Sequence, residues 1–71
     1  TANAISVYPN PFTDYIVVEA QSDDRATIYD ISGKPVLTVY VKAGSNRIET
    51  SALGKGVYVL KTGLGMVKII K

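Results

Sequence analysis

Pro35–Ala43 reads PVLTVYVKA, and its apolar residues recur at every second position. Leu37, Val39, Val41 and Ala43 point one way, and Val36, Thr38, Tyr40 and Lys42 the other. A period of two marks a β-strand with one buried face, because successive side chains of an extended chain lie on opposite sides. The same period runs along the rest of the chain. Tyr15–Ala20 (YIVVEA) aligns Ile16, Val18 and Ala20, and Ala4–Tyr8 (AISVY) aligns Ile5 with Val7. Arg25–Ile31 (RATIYDI), Asn46–Thr50 (NRIET), Gly56–Thr62 (GVYVLKT) and Met66–Lys71 (MVKIIK) complete seven candidate strands, rich in Val, Ile, Thr and Tyr. Only Ser51–Leu53 is helix-like, and it is one turn long.

Turn signals separate these runs at the short spacing of an all-β sandwich. Pro9-Asn10-Pro11 ends the first run. Each proline lacks an amide donor and holds the residue before it extended, which predicts a stiff crossover rather than a hairpin. Gln21–Asp24 is a polar loop. In Asp30-Ile31-Ser32-Gly33-Lys34 the aspartate can accept from amides two or three residues on, and Gly33 can take the positive φ that closes a hairpin. Ala43-Gly44-Ser45, Gly54-Lys55-Gly56 and Thr62-Gly63-Leu64-Gly65 supply the remaining turns.

A chain of 71 residues makes one domain, and its core is marginal for its surface. Seven short antiparallel strands bury their apolar faces best as two small sheets packed face to face. The expectation is an all-β, compact, seven-stranded antiparallel immunoglobulin-like sandwich. Its expected core is Ile5, Val7, Ile16, Val18, Ile28, Leu37, Val39, Val41, Ile48, Tyr58, Leu60, Val67 and Ile69. Arg25–Ile31 and Gly56–Thr62 carry apolar residues on both faces, so their inward sides are the least constrained.

Composition excludes most chemistry. The chain has no histidine and no cysteine, which removes the usual general base near neutral pH, the thiolate nucleophile and the commonest metal ligands. Asp23-Asp24 is the only adjacent carboxylate pair, and it lies in an expected loop. Asp14, Asp23, Asp24 and Asp30 lack the spacing of a calcium loop. Ser32 and Ser45 have no base to activate them. Gly54-Lys55-Gly56 lacks the upstream glycine and following helix of a phosphate loop. No catalytic residue, cofactor or metal is expected. No apolar run exceeds four residues, so none spans a membrane as a helix.

Net charge is +2 but uneven: residues 1–33 sum to −4 and residues 34–71 to +6. Such a chain carries either charges solvated over several strands or a basic face that meets an acidic partner. The lysines are neither clustered in sequence nor interleaved with an aromatic ladder, so nucleic acid is not the expected partner.

Four stretches, in order, carry a family resemblance: VYPNPF (Val7–Phe12), IYDISGKPV (Ile28–Val36), LGKGVYVLKTG (Leu53–Gly63) and MVKIIK (Met66–Lys71). Together they resemble the type A C-terminal sorting domain of the type IX secretion system of Bacteroidetes. Pro9, Asn10 and Pro11 match that family's first motif. Asp30, Gly33 and Lys34 match the second, Gly56 and Tyr58 the third, and Lys68 and Lys71 the tail. The family often has a glycine after its Pro-Asn-Pro; Phe12-Thr13-Asp14-Tyr15 has none. Asp30 and Gly33 are also what any tight hairpin wants, and Gly56 and Tyr58 also read as close packing beside a core aromatic. Lysines in a last strand are not needed for folding, although they also protect an exposed edge.

The resemblance implies a secretion signal that folds. Residues 1–71 would be the sorting domain of a longer secreted protein, as a start on Thr1 rather than methionine also suggests. The passenger would enter the periplasm, and the outer-membrane translocon would carry it to the cell surface or beyond. A sortase-like protease would then remove the domain near its N-terminal junction. Within GMVKIIK, Lys68, Ile69, Ile70 and Lys71 are the expected recognition residues, offering strand addition with charge complementarity. The domain is expected as a monomer or a strand-exchanged dimer. Two alternatives come from other classes: a fibronectin-like or carbohydrate-binding accessory module, and a structural spacer. The chain has no tryptophan for a sugar platform and no internal repeat.

Overall fold

A computed structural model of the protein describes residues 5–71. Seven strands follow in order: β1 (Ser6–Tyr8), β2 (Tyr15–Ala20), β3 (Asp24–Tyr29), β4 (Pro35–Val41), β5 (Gly44–Glu49), β6 (Val57–Thr62) and β7 (Gly65–Ile70). All pairings are antiparallel. A three-stranded sheet runs β1-β2-β5 and a four-stranded sheet runs β4-β3-β6-β7. Two sheets packed as an immunoglobulin-like sandwich are what the alternation predicts. The Cα radius of gyration, 11.0 Å, equals the roughly 11 Å expected for a compact domain of this length.

The core lies between the sheets. Ile16, Val18, Ala26, Ile28, Val41, Ile48, Tyr58, Leu60 and Ile69 are buried on the inward faces, and Phe12 is buried with them from the β1–β2 loop. The inward sides of β3 and β6 are therefore those carrying Ile28 and Leu60. Ile5, Val7, Leu37, Val39 and Val67 pack against this core but stay half-buried. A sandwich this small has inward positions near its rims that its partner sheet does not cover.

The prolines do not make a crossover. β1 and β2 are antiparallel neighbours, with Tyr8 opposite Val17, so Pro9–Asp14 returns the chain to the same sheet as a wide hairpin. The Tyr8–Pro9 and Asn10–Pro11 peptide bonds are both cis. The loop folds inward because Phe12 sinks into the core and the Phe12 N–H donates to the Ile70 carbonyl. Among the described residues none other than glycine has a positive φ, so the missing glycine after the Pro-Asn-Pro is not needed. The Ala43–Ser45 turn is shorter than expected, since Gly44 and Ser45 already pair in β5. Gly44, at φ 108°, turns and starts the strand at once. Ser51–Leu53 forms a turn closed by the Leu53 N–H on the Thr50 carbonyl, not a helix. Ala4, expected to open the first strand, lies outside the described residues.

Candidate functional site

β7 is an edge strand of the four-stranded sheet. Val67 and Ile69 face the core, while Met66, Lys68 and Ile70 face out. Its ladder continues one residue past the strand. The Lys71 N–H donates to the Gly56 carbonyl at 2.8 Å, and the Gly56 N–H to the Lys71 carbonyl at 3.2 Å. Hydrogen-bonded and non-hydrogen-bonded pairs alternate in an antiparallel ladder. Ile69–Tyr58 and Val67–Leu60 therefore bond as Lys71–Gly56 does, and the peptide groups of Met66, Lys68 and Ile70 point away from β6.

The Pro-Asn-Pro-Phe segment meets half of this outward edge. The Asn10 side-chain amide donates to the Lys68 carbonyl at 3.2 Å, and its oxygen accepts from the Ile70 N–H at 3.0 Å. The Phe12 N–H donates to the Ile70 carbonyl at 2.8 Å. The Asn10 carboxamide thus stands in for a strand's peptide group. Pro9 and Pro11, which lack amide donors, flank it. The Met66 N–H and C=O and the Lys68 N–H lie on the uncapped half.

The remaining motifs gather at the same end of the sandwich. The Tyr58 ring lies against Phe12, with centroids 6.2 Å apart, and its hydroxyl donates to the Gly54 carbonyl at 2.7 Å. The Lys71 ammonium donates to the carbonyls of Thr50 at 2.8 Å and Leu53 at 2.6 Å. Thr50 is itself buried and tied to the β1–β2 loop, its N–H donating to the Asp14 carbonyl and its hydroxyl to that of Thr13. One Asp30 carboxylate oxygen accepts from the Ser32 hydroxyl and from the amides of Ser32 and Lys34, two and four residues on. The Ser32 hydroxyl first, then the Lys34 amide, hold this carboxyl below the ordinary aspartate range. Gly33, at φ 87°, supplies the positive φ this turn needs.

The four expected recognition residues separate by environment. Lys68 and Ile70 are exposed on the outer face, and among the described residues the Lys68 ammonium has no partner. Ile69 is fully buried. The Lys71 ammonium is spent on two backbone carbonyls. The sequence reading did not anticipate Asn10 capping a strand nearly sixty residues away, the burial of Phe12, or Thr50 as a buried polar anchor. A lone aromatic directly after a double-proline turn is a signal that could have located Phe12.

The carboxylates that might suggest chemistry are engaged with backbone. Asp23 accepts from the Ala43 N–H, and Asp24 from the N–H groups of Arg25 and Gly63. A shallow groove of about 490 Å³ runs between the Asp30 turn and β6, lined by Tyr29, Ile31, Val57, Val59 and Met66 among others.

Neither the search of curated proteins nor that of solved structures finds a match to this chain. The family comparison does. Residues 6–71 match the model described as the secretion system C-terminal sorting domain. The match takes in both Pro-Asn-Pro and the last strand, the two elements that the hydrogen bonds of Asn10 and Phe12 join. This chain therefore belongs to the C-terminal sorting domains of the type IX secretion system, signals that send a protein to the cell surface or the extracellular space, and the accessory-module alternative is not favoured.

Proposed function

We propose that β7 is the element the type IX translocon reads, with Lys68 and Ile70 making contact and Ile69 and Lys71 holding the strand in shape. The observation that carries this reading is the unpaired Lys68 ammonium between exposed Met66 and Ile70, beside the uncapped half of the β7 edge. A translocon strand could add there through the Met66 peptide groups and the Lys68 N–H. An acidic side chain opposite Lys68 would set its register. Pro9, Asn10, Pro11, Asp30, Gly33, Lys34, Gly56 and Tyr58 serve by shaping the end of the sandwich that presents β7. The domain works as a monomer, since Asn10 and Phe12 occupy the half-edge through which copies would exchange strands.

In this reading the domain has no catalysis of its own. The passenger lies upstream and crosses the periplasm before export. A sortase-like protease then removes the domain near its N-terminal junction.

The test is localisation of a fluorescent passenger fused ahead of residues 1–71 in a Bacteroidetes strain with a working type IX system and in a translocon-null strain. Deleting Met66–Lys71 would also take Ile69 out of the core, so point exchanges are cleaner. The unaltered fusion is expected at the surface or in the medium of the first strain and in the periplasm of the second. Lys68→Glu and Ile70→Asp are expected to stay in the periplasm of both. Normal surface delivery of both variants would end the proposal.

A further inference from the structure

The outer face of the β4-β3-β6-β7 sheet is unusual for a small sandwich. Outward positions of antiparallel strands are ordinarily polar. Here Met66 is 68% exposed, Ile70 39% and Val57 36%, and Ile31, at the adjoining turn, is 86% exposed. The register interleaves them with cations: Lys61 stands opposite Met66, Lys68 opposite Val59, and Val57 opposite Ile70. Lys61 and Lys68 are diagonal neighbours, a relation that spaces residues about 7–8 Å apart. Two like charges so placed repel. None of the outward-facing residues of β3, β4, β6 and β7 is acidic. The carboxylates at its margins accept from hydroxyl or backbone donors: Asp30 within its own turn, Asp23 from the Ala43 N–H, and Asp24 from the N–H groups of Arg25 and Gly63.

We infer that this face is a docking surface for a protein surface that alternates acidic with apolar side chains, and that Lys61, Lys68, Val57, Met66 and Ile70 meet it. The inference rests on the recognition reading of β7 and widens it from a strand edge to a sheet face. Charge complementarity carries it. Among the described residues these two neighbouring cations have no ion-pair partner, and a partner carboxylate between them would relieve their repulsion while exposed apolar groups are buried. A protein fits better than an anionic lipid surface. The cations stand among the apolar side chains with the two-residue period of a strand, rather than as a belt around an apolar patch.

The test uses the fluorescent passenger fused ahead of residues 1–71, with melting of each 71-residue variant followed by circular dichroism. Lys61→Glu with Met66→Asp should lower the surface-delivered fraction at least tenfold. Should the double exchange lower the melting midpoint by more than about 5 °C, the single Lys61→Glu change, at an exposed lysine, takes its place. Lys55→Glu, in the loop before β6, should deliver normally. Loss with the Lys61 and Met66 exchanges and with Lys68→Glu supports the docking face, whereas loss with the former and normal delivery with Lys68→Glu would overturn the paired-cation argument for it. Normal delivery with them but loss with Lys68→Glu would overturn the face and leave the β7 reading standing. Normal delivery with all would overturn both. Equal loss with Lys55→Glu would overturn a localised face. Co-sedimentation of the unaltered chain with phosphatidylglycerol vesicles, abolished by Lys61→Glu, would overturn the protein partner in favour of lipid.

Discussion

On the outer face of the three-stranded sheet each charged group has a partner inside the domain, whereas among the described residues the cations outside the four-stranded sheet have none. Glu19 accepts from the Ser45 hydroxyl at 2.6 Å and from the Tyr8 hydroxyl. Arg47 donates to Glu49 at 2.8 Å and lies 4.1 Å over the Tyr15 ring. Across the sandwich, the side chains of Arg25, Lys61 and Lys68 have no such partner among the described residues. Both sheets are built from short strands with the same two-residue alternation, so folding alone does not require the difference. One face satisfies itself and closes to the outside; the other keeps charge and apolar surface available. Under the proposed docking face, that asymmetry separates the side that stabilises from the side that is read.

The widest break in the comparison would come from removing what both sheets share. Phe12→Ala is expected to cost about 3–5 kcal/mol, enough to leave a 71-residue chain without disulfides largely unfolded at 37 °C. Urea or thermal unfolding checks this, and a cooperative transition at the unaltered midpoint would contradict the placement of Phe12.

Two lysines three residues apart sharpen the contrast. Lys71→Met removes a cation that donates to two carbonyls and should destabilise the domain by about 1.5–3 kcal/mol. Lys68→Met removes an unpaired one and should change stability by less than about 0.5 kcal/mol. Equal effects in parallel denaturant titrations would mean that the two environments do not differ as described.

Asn10→Ala should cost about 1 kcal/mol, the usual net value of a lost hydrogen bond. Its more telling effect is local. The Ile70 amide, protected by Asn10, should exchange with solvent more slowly than those of Met66 and Lys68 in the unaltered chain, and should lose that protection in the variant. Hydrogen exchange by NMR reads all three amides in one experiment.

The smallest effect is pH-dependent and belongs to the closed face. Hydrogen bonds from Ser45 and then Tyr8 hold the Glu19 carboxyl below its ordinary value. A depressed carboxylate stabilises the fold above its unfolded pKa of about 4 and loses that contribution as pH falls through the folded value. Tyr8 is raised above the ordinary tyrosine value, chiefly by the Glu19 hydrogen bond. Its contribution is present below about pH 10 and is lost as pH rises through the folded value. Asp30 acts in the same sense as Glu19. Glu19→Gln should therefore flatten the acid limb of stability against pH without altering it near neutrality relative to pH 6. An unchanged acid limb would show that the Tyr8–Glu19–Ser45 cluster adds nothing outside the closed sheet.

Much of the fold was legible along the chain because its causes are local. Alternation at Leu37, Val39 and Val41 or at Ile16 and Val18 follows from the pleat of one strand, and the Asp30–Lys34 turn closes through bonds spanning at most four residues. The motif order also led to the family before any contact was known. The site was legible only in part. Lys68 and Lys71 look equivalent in MVKIIK, yet one is free and the other is bound, because the carbonyls of Thr50 and Leu53 come from a turn about twenty residues away.

The sequence by itself determined the β-period, the seven strands, the inward faces of those with apolar residues on one side, and the absence of histidine and cysteine chemistry, since each is a property of neighbours or of composition. Only the tertiary structure decided that the Pro-Asn-Pro loop is a wide hairpin whose Asn10 caps β7, that Phe12 is core, and that one outer face is self-paired while the other is open. Those outcomes depend on contacts between residues far apart in the chain, and a linear pattern carries no record of which distant carbonyl or amide will arrive beside a given side chain.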